Sequence, residues 1–366
     1  MLMEFFDRYA REYQPYKNGA WCYEDGLIYR GLTCLHSATG DEKWIGHLER
    51  LISPQMLNDK KLLGYDPNDY NIDNVLSGRA LLYLFDVTGQ RNYLEIARLL
   101  VDQLATHPRT HSGIYWHKLR YPWQVWLDGL YMGLPFQIEY ALDTEKDPLI
   151  VDALAQVTTA LKIAYVPTTK LYSHAFDEAR KQPWADFQTG HTRAHWARAI
   201  GWLTMALVDI ADLVGSERYR PLAMQTKNLL QRVVDLRRSS GLWLQVIDRP
   251  DLEGNYEESS ASAMFVYALL KARRLGFYDG DVNFMADDLI KRTLYTDTNG
   301  KSRMVDMCHV AGLGMYQGRF RDGTAEYYIS ERRVDNDPKG VGPLMMAAAE
   351  RFSQNNQSIP ELFNID

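Results

Sequence analysis

The stretch VLSGRALLYLFDVTGQRNYLEIARLLVDQL, residues 75–104, decides the fold of this 366-residue chain. Apolar residues recur at helical spacing over residues 75–85 and again over residues 93–104. The polar turn Thr88-Gly89-Gln90 separates the two runs. Because a glycine just after a helix and a short polar link favour an antiparallel pair, this stretch predicts a helical hairpin.

Further hairpins follow along the chain. Helical spacing covers residues 28–36, breaks at Thr39-Gly40-Asp41 and resumes over residues 44–52, and similar polar turns occupy residues 143–147 and 215–217. The turns recur roughly every 50 to 70 residues, which leaves room for about six hairpins. Their irregular spacing argues against an open solenoid of near-identical repeats. We therefore predict an all-α fold, an (α/α)6 six-hairpin barrel in which the hairpins close into a toroid.

Strands are expected to be few, short and confined to loops. Alternating β-type residues are clearest over residues 242–247, just before Asp248-Arg249-Pro250. No Pro-rich linker or low-complexity run divides the chain, so residues 1–366 are predicted to form a single catalytic domain. No run of about 18 uncharged apolar residues predicts a membrane-spanning helix.

The composition narrows the range of partners. A net charge of -6 without a dense block of Lys or Arg gives no electrostatic reason to bind a phosphate backbone, so no nucleic acid is expected. No membrane partner is expected either, and the chain is predicted to be a monomer or a weak homo-oligomer. Its 9 Trp and 23 Tyr include flat rings of the kind on which sugars stack, which points towards carbohydrate.

The cysteines and the first residues bear on location. Cys22, Cys34 and Cys308 are odd in number and lack CxxC spacing, which argues against a disulfide scaffold or a zinc site. The chain meets an acid at Glu4 and shows no basic region followed by an apolar one, as a secretory signal would. A cytoplasmic location is therefore expected.

Longer aromatic and polar segments separate the predicted hairpins. They cover residues 65–73, 110–126, 172–195, 245–262 and 308–337. In a closed helical ring such connections meet at one end, and functional residues concentrate on loops that a rigid scaffold holds. The candidate site is therefore expected where these segments converge.

One short region combines a carboxylate with basic side chains and an indole ring. His117 and Lys118 precede Trp126, and Asp128 follows two positions later. A carboxylic acid that is partly desolvated beside an indole favours its neutral form and can donate a proton, as a glycosidase requires. The alternative is that Asp128 only stabilises the start of a helix over residues 129–141. These residues alone leave both interpretations open.

Other polar residues extend this candidate site. Asp73 precedes a predicted helix and is either a helix cap or a second carboxylate that faces Asp128. Arg198 and Trp202 lie four positions apart on one predicted helix, so together they are able to hold a carboxylated sugar. The alternative is a surface cation–π pair or a core tryptophan. His174 lies in a loop rich in aromatic and charged residues.

The chain shows no motif of a metal or cofactor site. Its 9 histidines form neither HExxH nor a two-His-carboxylate spacing. A P-loop, a GxGxxG after a strand and a GxSxG are also missing. We therefore expect no cofactor and no catalytic metal.

The run WLDGLYMGLPF, residues 126–136, resembles the signature of glycoside hydrolase family 105, the unsaturated rhamnogalacturonyl hydrolases, and of the related family 88, the unsaturated glucuronyl hydrolases. The order and wide coverage of further matches make the combination more specific than any single motif. These matches are Trp21-x-Tyr23-x-x-Gly26, Asp73, His117-Lys118, Tyr172-x-His174, His195-Trp196-Ala197-Arg198-x-x-Gly201-Trp202, Glu258-Ser259-Ser260, Ala311-Gly312-Leu313 and Asn336-Asp337-Pro338-Lys339-Gly340-Val341-Gly342-Pro343.

The resemblance implies an (α/α)6 barrel that acts on oligosaccharides released by polysaccharide lyases, whose terminal uronate carries a C4=C5 double bond. Enzymes of this type hydrate the double bond instead of attacking the anomeric carbon. By this resemblance Asp128 is the general acid and base. The substrate-binding residues that it implies are Tyr23, Asp73, His117, Lys118, Trp126, His174, Arg198 and Trp202.

Two places depart from the family pattern. Relatives usually carry Gly-Asn after the Arg of the Trp-x-Arg motif, where this chain has Ala199-Ile200, and His195 stands where an aromatic residue is more common. The first change removes a polar amide and adds bulk beside the expected pocket. We expect it to affect the choice of leaving sugar more than the chemistry.

The predicted function is hydration of unsaturated galacturonyl-rhamnose, which releases rhamnose and a 4-deoxy-5-keto uronate. The nearest alternative is an unsaturated glucuronyl hydrolase that acts on glycosaminoglycan-type disaccharides. A carbohydrate-binding helical barrel without activity is an alternative from another class. An epimerase of related fold, with His117 and His174 as acid and base, is a further one.

Overall fold

The computed structural model of the chain describes residues 2–58 and 60–356, so residues 1, 59 and 357–366 of the predicted domain lie outside the described residues. The α-helices within these ranges are α1 (Leu2–Glu12), α2 (Tyr23–Thr39), α3 (Lys43–Ile52), α4 (Gly78–Thr88), α5 (Arg91–Thr106), α6 (Leu127–Asp143), α7 (Asp147–Ala164), α8 (Ala197–Asp235), α9 (Ser259–Leu275), α10 (Asn283–Thr293), α11 (Ala325–Ile329) and α12 (Pro338–Asn356). Short 3-10 helices lie at Tyr16–Gly19, Ser53–Gln55, Pro67–Asp69 and Ile72–Val75.

The hairpin predicted from residues 75–104 is formed by α4 and α5. Gly89 ends α4 in the left-handed conformation with φ 69°, and its N–H donates to the carbonyl of Phe85 at 2.8 Å. Gly40 ends α2 in the same way, with φ 66°. Any side chain would be strained at this φ, which is why glycine marks both turns. The two predicted turns are confirmed.

The helix α8 consists of two segments that meet at one residue. Gly215 has φ 78° and ψ 168°, outside the helical region. Residues 197–211 before it are all buried, whereas after it buried residues recur at helical spacing between exposed ones. The predicted turn at residues 215–217 is thus the point where a fully buried helix passes into an amphipathic one.

The helices form two concentric layers. The inner layer consists of α2, α4, α6, the first segment of α8, α9 and α12, and each contacts the next. Contact between α12 and α2 closes the ring. The outer layer consists of α1, α3, α5, α7, the second segment of α8 and α10, which bury one face each. The fold is therefore the predicted all-α (α/α)6 six-hairpin barrel.

The strands are short and lie in loops. They are β1 (Gln124–Trp126), β2 (Tyr165–Val166), β3 (Leu171–Tyr172), β4 (Ala175–Asp177), β5 (Leu294–Thr296), β6 (Ser302–Met304), β7 (Met307–Cys308), β8 (Gly314–Tyr316), β9 (Arg319–Arg321) and β10 (Arg333–Val334). Antiparallel pairs form between β1 and β4, β2 and β3, β5 and β6, β7 and β10, and β8 and β9.

The prediction of a strand over residues 242–247 is wrong. This segment forms only the isolated bridges Leu244 to Glu257 and Val246 to Trp196. Its backbone bonds to different partners on its two sides: the N–H of Gln245 donates to Tyr256, and its carbonyl accepts from Ala197. Neither side continues far enough to make a ladder.

In the described part of the chain, α8 is long and apolar enough to cross a membrane. Its most apolar window has a mean hydropathy of 1.4, and 72% of that window is buried inside the protein. A helix in the core of a barrel has the same composition, so this finding is weak evidence for a membrane span.

Candidate active site

A cavity of about 630 Å³ opens at the end of the barrel where α2 and α6 begin. Three of the five predicted loop segments contribute to its wall, namely residues 65–73, 110–126 and 308–337. The expected convergence of loops is therefore confirmed for these three. Six predicted site residues line the cavity: Tyr23, Asp73, His117, Lys118, Trp126 and Asp128.

Two glycines in α6 allow the segment that carries Asp73 to pack on the helix that carries Asp128. A Cβ on Gly133 would lie 2.8 Å from Cδ1 of Ile72, and one on Gly129 would lie 3.3 Å from its Cγ2. Residues four apart share one helix face, so both glycines clear the same strip of α6. The WLDGLYMGLPF run thus places its acid and its packing surface on one helix.

Asp128 lies in the first turn of α6. Its side chain is 15% exposed, and Oδ2 has no hydrogen-bond partner among the described residues. Nε2 of His174 lies 3.3 Å from this oxygen. The N-cap of α6 is Trp126, without a side-chain capping bond. The start of a helix favours a carboxylate here, but that role alone does not explain the contact with His174.

His174 is fully buried and contacts Asp128 without lining the cavity itself. Its Nδ1 lies 2.7 Å from the phenolic oxygen of Tyr328. Burial raises the pKa of Tyr328 well above its usual value, so the phenol keeps its proton. With the phenol as donor to Nδ1, Nε2 carries the ring proton on the side of Asp128, where neither Nε2 nor Oδ2 has a hydrogen-bond partner among the described residues.

The pairing of β1 with β4 fixes this arrangement on the backbone. Trp126 stands opposite Ala175 in the register, and the N–H of Leu127 donates to the carbonyl of His174 at 2.9 Å. The chain therefore enters α6 with His174 held at its first turn. Asp128, one residue further on, is placed beside the imidazole by this backbone contact.

Trp126 is the centre of an aromatic stack beside Asp128. Its ring lies 4.5 Å from that of His117 at 13° and 5.0 Å from that of Tyr121 at 17°. The ring of His174 meets it edge-on at 5.3 Å. The rings of His117, Tyr121 and Trp126 line one wall with flat surface, which excludes water and suits contact with a sugar ring.

Asp73 is held by basic neighbours. Nζ of Lys118 lies 2.5 Å from Oδ2, and Nε2 of His117 lies 3.6 Å from Oδ1. Burial opposes ionisation, but the nearby Lys118 and His117 outweigh it, and the net effect lowers the pKa of Asp73. The helix-cap alternative for Asp73 is wrong, because the N-cap of the following helix α4 is Ser77, and Asp73 lies inside the 3-10 helix Ile72–Val75, whose N-cap is Asn71.

His117 is a neutral group in this environment. Burial lowers its pKa to about 4, although Asp73 acts in the opposite direction. Its Nδ1 has no hydrogen-bond partner among the described residues. His117 therefore supplies hydrogen-bonding capacity near neutral pH, and Lys118 supplies the positive charge.

In the described part of the chain, the cavity wall does not include Arg198 or Trp202. Both are 1% exposed. The guanidinium of Arg198 lies 4.6 Å from the ring centre of Trp196, and Trp202 stacks on Tyr131 at 5.5 Å. The expected sugar-binding pair of guanidinium and indole is therefore not formed, and Trp202 is a core tryptophan.

The Glu258-Ser259-Ser260 motif acts with Arg198 to join loops to helices. Glu258 is the N-cap of α9 and accepts bonds from the N–H groups of Ser260 and Ala261. Nη1 of Arg198 donates to Oγ of Ser260 at 2.9 Å and to the carbonyl of Cys308 at 2.5 Å. These bonds tie α8, α9 and β7 together behind the cavity wall.

The departures from the family pattern also lie away from the cavity. Ala199 and Ile200 are fully buried and do not line the cavity. The prediction that they add bulk beside the pocket is therefore wrong. The ring of His195 bonds to the carbonyl of Tyr172 and to Oγ1 of Thr169, both at 2.9 Å. These residues pack in the core on the α8 side.

Tyr328, Arg321 and Tyr316 were not predicted from the sequence as site residues. Tyr328 holds His174, and the other two line the cavity. All three lie in the segment of residues 308–337, which was expected near the site although none of its residues was predicted to bind substrate. A tyrosine or arginine alone carries no spacing signal, so only the fold reveals their positions.

The described residues offer no clustered metal ligands, since no group of three or more His, Cys, Asp or Glu side chains could hold an ion. Cys22, Cys34 and Cys308 are all free. The cavity wall presents carboxylates, an imidazole, ammonium and guanidinium groups, and aromatic rings.

The family model described as Glycosyl Hydrolase Family 88 matches residues 1–354. Protein Atu3128 of Agrobacterium fabrum is 46% identical over 228 residues, which is 60% of this chain and 97% of that protein. The unsaturated rhamnogalacturonyl hydrolase YesR of Bacillus subtilis is 29% identical over 266 residues, 70% of this chain and 72% of YesR. The solved structure of a C. acetobutylicum glycoside hydrolase from family 105 superposes on this chain with a TM-score of 0.86 and 34% sequence identity. The match covers 90% of this chain and 93% of the C. acetobutylicum chain. The chain therefore belongs to glycosyl hydrolase family 88 and its relatives of family 105, and it is a glycoside hydrolase of the group that contains the unsaturated uronyl hydrolases.

Proposed function

We propose that this protein hydrates the C4=C5 double bond of a terminal unsaturated uronate, with Asp128 as general acid and base. The observation that carries the proposal is the carboxyl of Asp128, which faces the cavity while Nε2 of His174 lies 3.3 Å from its Oδ2. A carboxyl held in this way at a cavity of sugar size is equipped for proton transfer.

The proposed substrate is an unsaturated galacturonyl-rhamnose disaccharide. The relative YesR is an unsaturated rhamnogalacturonyl hydrolase, and the C. acetobutylicum relative belongs to family 105. Both likenesses support a substrate derived from rhamnogalacturonan, and so pectin degradation as the setting. Glycosaminoglycan-type disaccharides are the alternative substrate, since the family model carries the family 88 description.

The reaction consumes one water. Asp128 donates its proton to C4, and positive charge develops at C5, where the ring oxygen stabilises it. Water then adds to C5 while the conjugate base of Asp128 takes up a water proton, which restores the acid. The resulting hemiketal opens to a ketone at C5, and the hemiacetal left at C1 releases the second sugar. The products are a 4-deoxy-5-keto uronate and rhamnose.

The other residues bind and orient in this scheme. Ionised Asp73 accepts hydrogen bonds from sugar hydroxyls, while Lys118 donates them. Neutral His117 and the ring of Trp126 form the flat wall beside the reacting carbons. Tyr23 contributes to the cavity wall near the start of α2.

Three predicted residues act indirectly in this proposal. His174 acts through its contact with Asp128, because it does not itself line the cavity. Arg198 and Trp202 support the wall from behind and do not contact the substrate.

The test follows the ultraviolet absorbance of the double bond with two disaccharides, one from rhamnogalacturonan and one from chondroitin. We expect the wild type to consume the first, and Asp128→Asn to be slower by at least about 100-fold. Turnover of the chondroitin disaccharide alone would replace the proposed substrate by the glucuronyl one. Equal rates for Asp128→Asn and wild type would contradict the acid assignment, and binding without consumption would indicate a carbohydrate-binding barrel.

We further propose a single domain and a cytoplasmic location. One cluster of buried apolar side chains includes residues from Phe5 in α1 to Ala349 in α12, which supports one domain. The three free cysteines suit a reducing compartment. Cell fractionation tests the location, and sedimentation tests the proposed monomer or weak homo-oligomer.

A further inference from the structure

Arg321 is a buried guanidinium at the wall of the same cavity. It ends β9, is 6% exposed and lines the cavity with Asp128. Its Nε is buried without a hydrogen-bond partner, and Nη2 donates only a long bond of 3.5 Å to the carbonyl of Leu313. Within the ranges that the structure describes, Arg321 joins no ion pair.

The other basic groups at the cavity are already engaged or lie in solvent. Lys118 pairs with Asp73 at 2.5 Å, and Lys17 pairs with Glu24 at 3.1 Å. Arg120 is exposed at the cavity rim. Among the described Lys and Arg residues that line the cavity, Arg321 is therefore the one that is buried and has no carboxylate partner.

A buried positive charge of this kind is stabilised by a bound anion. Removing an ion from water is unfavourable unless a partner compensates for the lost hydration. The ring of Tyr316 lies 4.6 Å from the guanidinium carbon and offsets part of this cost by a cation–π contact. This contact involves the face of the guanidinium and leaves its in-plane N–H donors, apart from the long bond of Nη2 to Leu313, available to a carboxylate.

The hairpin of β8 and β9 holds this guanidinium in place. Gly312, just before the hairpin, allows close approach, because a Cβ there would lie 2.7 Å from the guanidinium carbon. Leu313 packs with Trp126 and Tyr121 in a small apolar cluster. The root of the hairpin is thus anchored to the aromatic stack beside Asp128.

We propose that Arg321 binds the carboxylate of the unsaturated uronate. This inference rests on the proposed function, in which that carboxylate is attached to C5, one end of the reacting double bond. A forked bond from Arg321 would hold C4 and C5 at a set distance from Asp128. The carboxylate anchor is then Arg321 and not Arg198, because Arg198 does not line the cavity and its guanidinium lies 3.9 Å from the carboxylate of Glu258.

The experiment measures affinity for the galacturonyl-rhamnose disaccharide by calorimetry in an Asp128→Asn background, so that the ligand survives. Adding Arg321→Gln is expected to weaken binding at least about ten-fold. The methyl ester of the same disaccharide lacks only the uronate charge, and its affinity is expected to be equal with and without Arg321→Gln. Arg321→Lys keeps the charge but not the fork, and is expected to recover part of the loss.

Arg319→Gln is the matched control, because Arg319 lies on the same strand, its side chain is 50% exposed and it is not a lining residue. Its binding should equal that of the parent. Unchanged binding of the acid by Arg321→Gln, or an equal loss for acid and ester, would overturn the inference while leaving the proposed function intact. Failure of the wild type to consume the double bond would instead overturn the proposed function.

Discussion

Tyr328 and His174 are joined by a hydrogen bond of 2.7 Å between the phenolic oxygen and Nδ1, although 154 positions separate them in the chain. Both residues are fully buried. On its other side the imidazole contacts Asp128 through Nε2. The orientation of the proposed acid therefore depends on a residue that does not touch the cavity.

Replacing Tyr328 by Phe removes the group that fixes the ring of His174. An unsatisfied buried donor or acceptor costs about 1–3 kcal/mol, so we expect kcat to fall roughly ten-fold. KM should change little, because neither residue lines the cavity. Steady-state kinetics on the unsaturated disaccharide check this, with Tyr93→Phe on the outer helix α5 as control. A higher KM at unchanged kcat would argue against a positioning role.

Replacing Lys118 by Met removes the positive charge closest to Asp73. Burial raises the pKa of Asp73 and the charge of Lys118 lowers it, so the pKa of Asp73 rises from its lowered value when Lys118 is removed. If ionised Asp73 is needed for binding, the acid limb of kcat/KM moves towards neutral pH. A pH–rate profile of wild type and variant measures the shift. An acid limb at the same pH in both proteins would show that Asp73 does not set it.

His107 makes the free energy of unfolding depend on pH. Burial lowers its pKa from 6.5 to about 4, and its ring is bonded at Nε2 to the carbonyl of Trp116 and at Nδ1 to Gln103. Between these pKa values the unfolded chain binds more protons. The stabilisation is therefore complete above the unfolded pKa and is lost as the pH falls towards the folded one.

The corresponding variant is His107→Gln. In the wild type this group contributes a slope of about 1.4 kcal/mol per pH unit within that window, and the variant is expected to lack it. Urea unfolding at a series of pH values measures both slopes. An equal slope in wild type and variant would show that His107 does not carry this pH dependence.

Replacing Gly133 by Ala tests the packing that brings Asp73 to α6. The new Cβ would lie 2.8 Å from Ile72, so we expect a loss of about 1–3 kcal/mol in the free energy of unfolding. Activity should fall as well, because Ile72 and Asp73 move together. The double variant with Ile72→Ala removes the clash and should recover activity. Gly46→Ala has no atom within 4 Å of its new Cβ and should be neutral or stabilising.

The fold was predictable where the signals are local. The apolar period and a left-handed glycine at Gly89 lie within one hairpin, and Gly215 marks a break within one stretch of chain. The segment of residues 242–247 misled because its partners, Trp196 and Glu257, come from two separate parts of the chain. Alternation predicts an extended segment but not whether a neighbouring strand continues beside it.

The site was predictable only in part, for a related reason. Asp128, Trp126 and the His117-Lys118 pair lie close in sequence, and they also lie close together in the folded protein. Helical spacing correctly puts Arg198 and Trp202 on one helix, but their neighbours in the inner ring decide what each contacts. Partners that only the closed barrel brings together, such as Tyr328 for His174, leave no trace in spacing.

The closure of the ring by α12 also orders events during synthesis. α12 packs against α2 so closely that a Cβ on Gly31 would lie 2.7 Å from the sulfur of Met345. Without α12 the ring is an open arc whose apolar edge on α2 has no cover, and exposed apolar surface of this kind favours aggregation during folding. Asp128 is made long before Arg321 and Tyr328, so a partly synthesised chain carries the acid without its partners. Under the proposed function, Asp128 therefore acquires these partners only when the ring closes.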